Sequence, residues 1–169
     1  RGNTKRVAEV FERKTGAALV DLKCRKDINI EGYDLIGFGS GVYKEDLSPK
    51  LYSFIEKLSL AGKSVFVFST SGVGLTFYNK KLVRALKLKG AVNKGSFACK
   101  GCFESRDFSE NKLFEALGRL AKGHPNEKDI KKAVKTAKIA IKAVKIISTC
   151  VVIASAVYAL VPKYDTIEG

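Results

Sequence analysis

The chain is predicted to fold as an α/β domain of three layers, with a doubly wound parallel sheet between two sets of helices. Three features predict this. Segment 64–68, SVFVF, is an uninterrupted β-branched and aromatic run, the pattern of a strand buried on both faces. Apolar runs alternate with segments of helical periodicity, which implies parallel pairing through right-handed crossovers. Short glycine- and hydroxyl-rich segments follow the strands or open the helices, where ligands sit in open α/β sheets.

In chain order, 4–14 carries apolar residues at Val7, Ala8, Val10 and Phe11 and is predicted as a helix, capped by Asn3 or Thr4 and stopped by Gly16. Segments 17–22 and 33–38 are short apolar runs, read as strands, and the second ends in Gly39-Ser40-Gly41. Ser48-Pro49 opens a helix to about Leu60, with Ser48 as cap and Pro49 in the first turn. After the 64–68 strand comes a helix from about Asn79 to Lys89, then a strand over 91–98, a loop over 101–110 and a helix over 111–119. Asn126 caps a long last helix.

Along that helix Lys131, Lys135, Lys138, Lys142 and Lys145 share one face, and Val134, Ala137, Ile141 and Val144 make another. Segment 146–162, IISTCVVIASAVYALVP, carries no charge and is read as an apolar C-terminal helix. It falls just short of the roughly 20 residues of a membrane span. It is read either as a membrane anchor, which would hold the main domain at the cytoplasmic face, or as a helix buried in a subunit interface. The expected organisation is a main domain over 1–143 and an apolar tail over 144–169.

The chain has 31 Lys and Arg against 17 Asp and Glu, a net charge of +14. That charge favours acidic partners: nucleic acid, anionic lipid or an acidic protein. Aromatic residues are not interleaved with the basic clusters as a single-strand binding platform requires, so a nucleic-acid partner is not expected. Cys24, Cys99, Cys102 and Cys150 are too sparse for a disulfide framework and are read as reduced thiols of a cytosolic protein. The chain opens on Arg1 and contains no Met, and is read as lacking an N-terminal portion.

Three segments can carry ligand chemistry. Gly2, Asn3 and Thr4 open a helix, where backbone N–H groups and the positive end of the helix dipole suit a phosphate. Ser40, Gly41, Val42 and Tyr43 combine a close backbone approach with a ring that can stack on a planar group. Ser69, Thr70, Ser71 and Gly72 offer N–H groups to a heterocycle. Each is also an ordinary turn or cap when taken alone. The C-x-x-C of Cys99 and Cys102 is read as structural rather than as a redox dithiol, because Cys99 ends an apolar strand. No metal site is expected. With His124 as the sole histidine, a hydrolase triad is not expected either, and no Walker motif is present.

Taken together, GNTKRVAE resembles the phosphate loop and first helix of the flavodoxin family, whose motif reads T-G-N-T. The resemblance continues in family order through YDLIGFGSGVY, VFVFSTSG, GSFACKGCF and GHPNEKDI, over about residues 1 to 141. It implies a flavodoxin-like sheet of order 2-1-3-4-5 with FMN at the switch point. By that resemblance Gly2, Asn3 and Thr4 would bind the FMN phosphate, Ser40, Gly41, Val42 and Tyr43 would flank the ring, and Ser69, Thr70, Ser71 and Gly72 would face its pyrimidine edge. Arg1 stands where the motif has Thr and would pair with the phosphate. The family's first strand would precede Arg1 and is absent. Strands 2 and 3 then lose their shared neighbour, unless 151–160 inserts as a substitute. The implied function is electron transfer between redox partners, one of them with an acidic surface or an anionic membrane face. The alternative is an FMN-dependent NAD(P)H or quinone reductase.

Overall fold

The computed structural model of the protein describes residues 2–24, 28–103, 112–144, 150–154 and 159–160. Helix α1 (Asn3–Thr15) buries Thr4, Val7, Ala8, Val10 and Phe11, the i, i+3, i+4 spacing of an apolar stripe. Gly16 ends it in the left-handed region, its N–H returning to Glu12 O at 3.0 Å. Strand β1 (Ala18–Asp21) follows, then β2 (Leu35–Tyr43) and the short β3 (Asp46–Leu47). Helix α2 (Pro49–Glu56) begins at the expected proline but stops before Leu60. Its last turn tightens, with Lys57 and Leu58 N–H donating to Phe54 and Ile55 carbonyls.

Strand β4 (Ser64–Ser71), helix α3 (Asn79–Leu88), strand β5 (Val92–Lys100) and helix α4 (Lys112–Ala121) continue the alternation. Helix α5 (Glu127–Lys142) starts in a full capping box: Asn126 accepts from Lys128 and Asp129 N–H, and the Asp129 carboxylate accepts from Asn126 N–H. Its lysines at 131, 135, 138 and 142 are exposed, while Ala133, Ala137 and Ala140 are buried. Lys145 and most of the 101–110 loop lie outside the described residues.

The tail departs from the expected helix. Cys150–Ala154 is strand β6 and Ala159–Leu160 is strand β7. The sheet order is β5-β4-β2-β6-β1-β7, with β3 hydrogen-bonded to β2. β6 runs parallel to both neighbours, with Val152 opposite Leu19 of β1 and Gly37 of β2. It therefore occupies the central slot between β1 and β2, the place that the resemblance gives to the family's first strand, and the implied order is reproduced. The physical reason is the composition of 150–154: CVVIA suits a strand hydrogen-bonded on both sides as well as it suits a helix. Among the described residues no helix is long and apolar enough to cross a membrane.

The core lies on both faces of the sheet, with Leu51, Ile55, Leu82 and Leu86 of α2 and α3 buried as fully as Val7, Ala8 and Phe11 of α1. Phe11 meets Phe66 and Phe68 edge-on at 5.4 and 5.0 Å between ring centres, and Phe66 stacks on Phe68 at 5.7 Å. Such pairs add about 0.5–1.5 kcal/mol each beyond their buried area. The alternation of β4 thus sends Phe66, Phe68 and then Thr70 toward α1. Right-handed crossovers place α2 and α3 on the opposite face.

Proline at position 152 tests the central strand. Val152 has a neighbour on each side, so its N–H faces a ladder partner whichever way it points. Val152→Pro should destabilise by about 1–3 kcal/mol for the orphaned acceptor alone. Ile139→Thr, on an exposed site of α5, should leave the thermal midpoint nearly unchanged by circular dichroism.

Candidate functional site at the carboxyl end of the sheet

The parallel register fixes which residues reach the same end of the sheet. Ser40 lies opposite Ser69 and Gly41 opposite Thr70, and Thr70 lies opposite Cys99 of β5. Gly2 enters α1 at the same end, because the hydroxyl of Thr4, a residue 2% exposed, meets the Thr70 hydroxyl at 2.7 Å. The three segments singled out in the sequence therefore converge. Two of them are strand tips rather than loops: 40–43 belongs to β2, and all of 69–72 except Gly72 belongs to β4.

The helix entrance is built by Gly2, which takes φ 65° and serves as N-cap in place of Asn3 or Thr4. That left-handed conformation suits a residue without a Cβ. Arg6 N–H donates to Gly2 O at 2.9 Å, closing the first helical turn. The N–H groups of Asn3 and Thr4 precede that bond, at the entrance where a helix offers no carbonyl four residues back. The first turn carries no acidic side chain. The side chains are otherwise engaged: Asn3 Nδ2 donates to Cys102 O at 2.7 Å, and Thr4 bonds Thr70. Arg1 lies outside the described residues.

On β2, Ser40 turns inward. Its hydroxyl is fully buried, accepts from Ser48 N–H at 3.0 Å and donates to Gly41 O at 2.7 Å, bracing the start of α2. Val42 pairs with Leu47 across the β2–β3 hairpin. Tyr43 is half exposed, and its ring lies against Gly41. On β4, the Ser69 hydroxyl is buried without a hydrogen-bond partner. Ser71 Oγ accepts from Gly74 N–H at 2.8 Å, and Ser71 O accepts from Gly101 N–H at 2.9 Å.

Residues after β5 complete this end, and sequence reasoning did not assign them to it. A Cβ on Gly72 would come within 2.3 Å of the Phe103 ring, so the ring packs directly on the glycine backbone. Cys102 N–H donates to His124 O at 2.8 Å, and His124 Nδ1 meets Asp129 Oδ2 at 2.5 Å. The aromatic that closes G-C-F, following a strand, was the available signal. Cys99 is buried, and burial together with the Asp129 charge pushes its thiol up to about 12. A thiol so protonated is a poor nucleophile, in keeping with the structural reading of the C-x-x-C. Cys24, Cys99 and Cys102 are free. No metal-binding cluster of His, Cys, Asp or Glu occurs among the described residues.

Just beyond Tyr43, the hairpin turn holds Lys44 and Glu45 at φ 48° and 67°. Asp46 then accepts from Tyr52 OH at 2.8 Å and from Leu47 N–H at 2.7 Å, and it pairs with Lys81. Burial alone would raise the Asp46 carboxyl. The hydrogen bonds from Lys81, Tyr52 and Leu47 and the Lys81 charge outweigh it and hold the group below the ordinary carboxylate range. Burial, then the hydrogen bond and charge of Asp46, push Tyr52 up.

With this geometry in place, the comparisons define the protein class. The family described as flavodoxin domain matches residues 1–98. The chain belongs to that family. It is 38% identical over 143 residues to an uncharacterized protein of Methanocaldococcus jannaschii, an alignment covering 83% of this chain and 91% of the relative. A solved flavodoxin from the domain Archaea superposes with a TM-score of 0.53 at 15% identity, covering 86% of this chain and 92% of that one. At that identity the likeness concerns the fold.

Two measurements check the site. Thr70→Val should cost about 1–3 kcal/mol by stranding the buried Thr4 hydroxyl, and the double variant with Thr4→Val should recover part of it in a denaturant cycle. The depressed Asp46 group contributes stability that is present above its unfolded value, near 3.9, and is lost as pH falls through its lower folded value. Carbon-detected titration should put Asp46 below the ordinary midpoint, and Lys81→Met should move it upward.

Proposed function

We infer that the protein binds FMN at the carboxyl end of its sheet and acts as an electron carrier. The observation that carries this reading is the Thr4–Thr70 bond combined with the β2–β4 register, which bring a helix entrance and the tips of β2 and β4 to one place. The chemistry of the donors fits a phosphorylated planar ring. The helix N–H groups of Asn3 and Thr4, in a first turn that carries no acidic side chain, suit the phosphate. Because the Asn3 and Thr4 side chains are engaged elsewhere, the backbone would do the binding. Gly41 and Tyr43 would border one side of the ring, and Ser71 and Gly72, backed by Phe103, the other. The buried Ser69 hydroxyl leaves a polar atom unsatisfied at the β4 tip.

FMN, when bound, supplies one- and two-electron redox chemistry, and the protein's part is to hold it and set its environment. The Thr4–Thr70 and Asn3–Cys102 bonds fix the phosphate end to β4 and to the loop after β5 before any ligand arrives. Preorganisation of this kind lowers the ordering cost of binding. No side chain is asked to act as an acid or a base.

The purified full chain mixed with FMN should retain the two visible absorption bands of an oxidised flavin after desalting. FAD and riboflavin should be retained less well. Tyr43→Ala should weaken FMN binding by up to about tenfold, the worth of one ring contact. Desalted protein that stays colourless overturns the reading. Steady NAD(P)H oxidation by the flavin-loaded protein alone would favour a reductase instead.

A further inference from the structure

Beside Tyr43, the β2–β3 hairpin and the turn into α3 enclose an open cleft of about 360 Å³. Its walls include Lys44 from the hairpin and Phe77, Tyr78, Lys80, Lys81 and Arg84 from the opposite side. Two carboxylates, Glu45 and Asp46, also line it. Asp46 is fully used, accepting from Tyr52, Leu47 and Lys81, and Lys81 further lies 5.1 Å from the centre of the Tyr52 ring. Among the described residues no carboxylate lies within ion-pair distance of Lys44, Lys80 or Arg84, all exposed. Glu45 is the other carboxylate that lines the cleft.

Apolar side chains are exposed in and next to the cleft. Phe77 in the wall is 65% exposed, Leu75 two residues before it 54% and Tyr43 next to Lys44 51%, and the Lys80 ammonium lies 5.2 Å from the Phe77 ring centre. Exposed large apolar side chains rimmed by charge mark an interaction surface. Aromatic and arginine side chains dominate the centres of protein interfaces. The patch is continuous with the sheet end that carries Tyr43 and Gly72. A small anion would be met by the lysines alone; the exposed Leu75 and Phe77 need an apolar surface to cover them.

We propose that this cleft docks an acidic electron-transfer protein, one surface carboxylate entering between Lys80 and Arg84 while Leu75 and Phe77 cover apolar surface around it. The proposal rests on the electron-carrier reading for the partner's class, and on the cleft itself for its place and charge.

The test is calorimetry of the full chain with an acidic [2Fe–2S] ferredoxin as probe, at low ionic strength, with and without added FMN. Three variants are compared: Lys80→Glu with Arg84→Glu, Phe77→Ala, and Lys131→Glu with Lys135→Glu on the exposed face of α5. The first should weaken binding at least about tenfold and the second about threefold to tenfold, while the α5 variant stays within about twofold. Added salt should weaken wild-type binding steeply. All substituted positions are exposed, and matching far-ultraviolet spectra confirm folding. Equal weakening by the cleft and α5 charge variants would reduce the effect to diffuse attraction and overturn the proposal. So would absence of binding, or amide shifts at the cleft produced by pyrophosphate or by phosphatidylglycerol vesicles but not by the ferredoxin. Docking by a protein that retains no FMN removes the flavin reading and leaves the docking surface standing. A yellow protein that does not dock does the reverse.

Discussion

A strand inside a sheet has to satisfy its backbone on both sides, and in this protein that requirement falls on five residues far along the chain. β6 pairs in parallel with β1 through Ala18 to Asp21 and with β2 through Leu35 to Gly39. Without it β1 and β2 would face each other across a gap of unpaired N–H and C=O groups, which is too costly to bury. Filling that slot sets the spacing of every strand to either side. On the far side of β2, its own ladder with β4 sets the register that joins Gly41 to Thr70.

From that register the rest of the site follows by short, local commitments. Thr70 reaches α1 through Thr4, and α1 reaches the loop after β5 through Asn3. That loop in turn rests on His124 and on the capping box of α5. Five elements are thus tied at one end of the sheet by polar contacts, while the aromatic cluster of Phe11, Phe66 and Phe68 holds the layer beneath. A rigid support of this kind is what precise ligand placement requires.

Much of this was legible in the sequence, for identifiable reasons. The SVFVF run and the Asn126 cap carry unambiguous chemistry, a both-face apolar strand and an Asx acceptor ahead of a helix, and both stand where expected. The CVVIA segment does not: without polar residues to mark a period, helix and strand read alike, and only the vacancy between β1 and β2 decides. Glycines at 39 and 41 suggested a loop, yet β2 runs on to Tyr43, because its turn is made by Lys44 and Glu45, two non-glycine residues at positive φ. The convergence of the three glycine-bearing segments was foreseen from topology. Which polar groups are spoken for was not. Ser40, Asn3 and Thr4 look like ligand donors in sequence, but long-range contacts that no local pattern encodes turn them to internal tasks. Phe103 offered a local signal, an aromatic after a strand, but its contact with Gly72 is long-range.

The placement of β6 also bears on how the molecule is made. Leu19 and Gly37 leave the ribosome long before Val152, the residue that must lie between them. Where β6 is unpaired, β1 and β2 each present an open edge on the side it covers, a template for pairing with another chain. Closing the sheet demands contacts of high sequence separation, which form slowly. The strand that joins the two halves of the sheet thus pairs across long stretches of sequence, and its docking removes both edges at once.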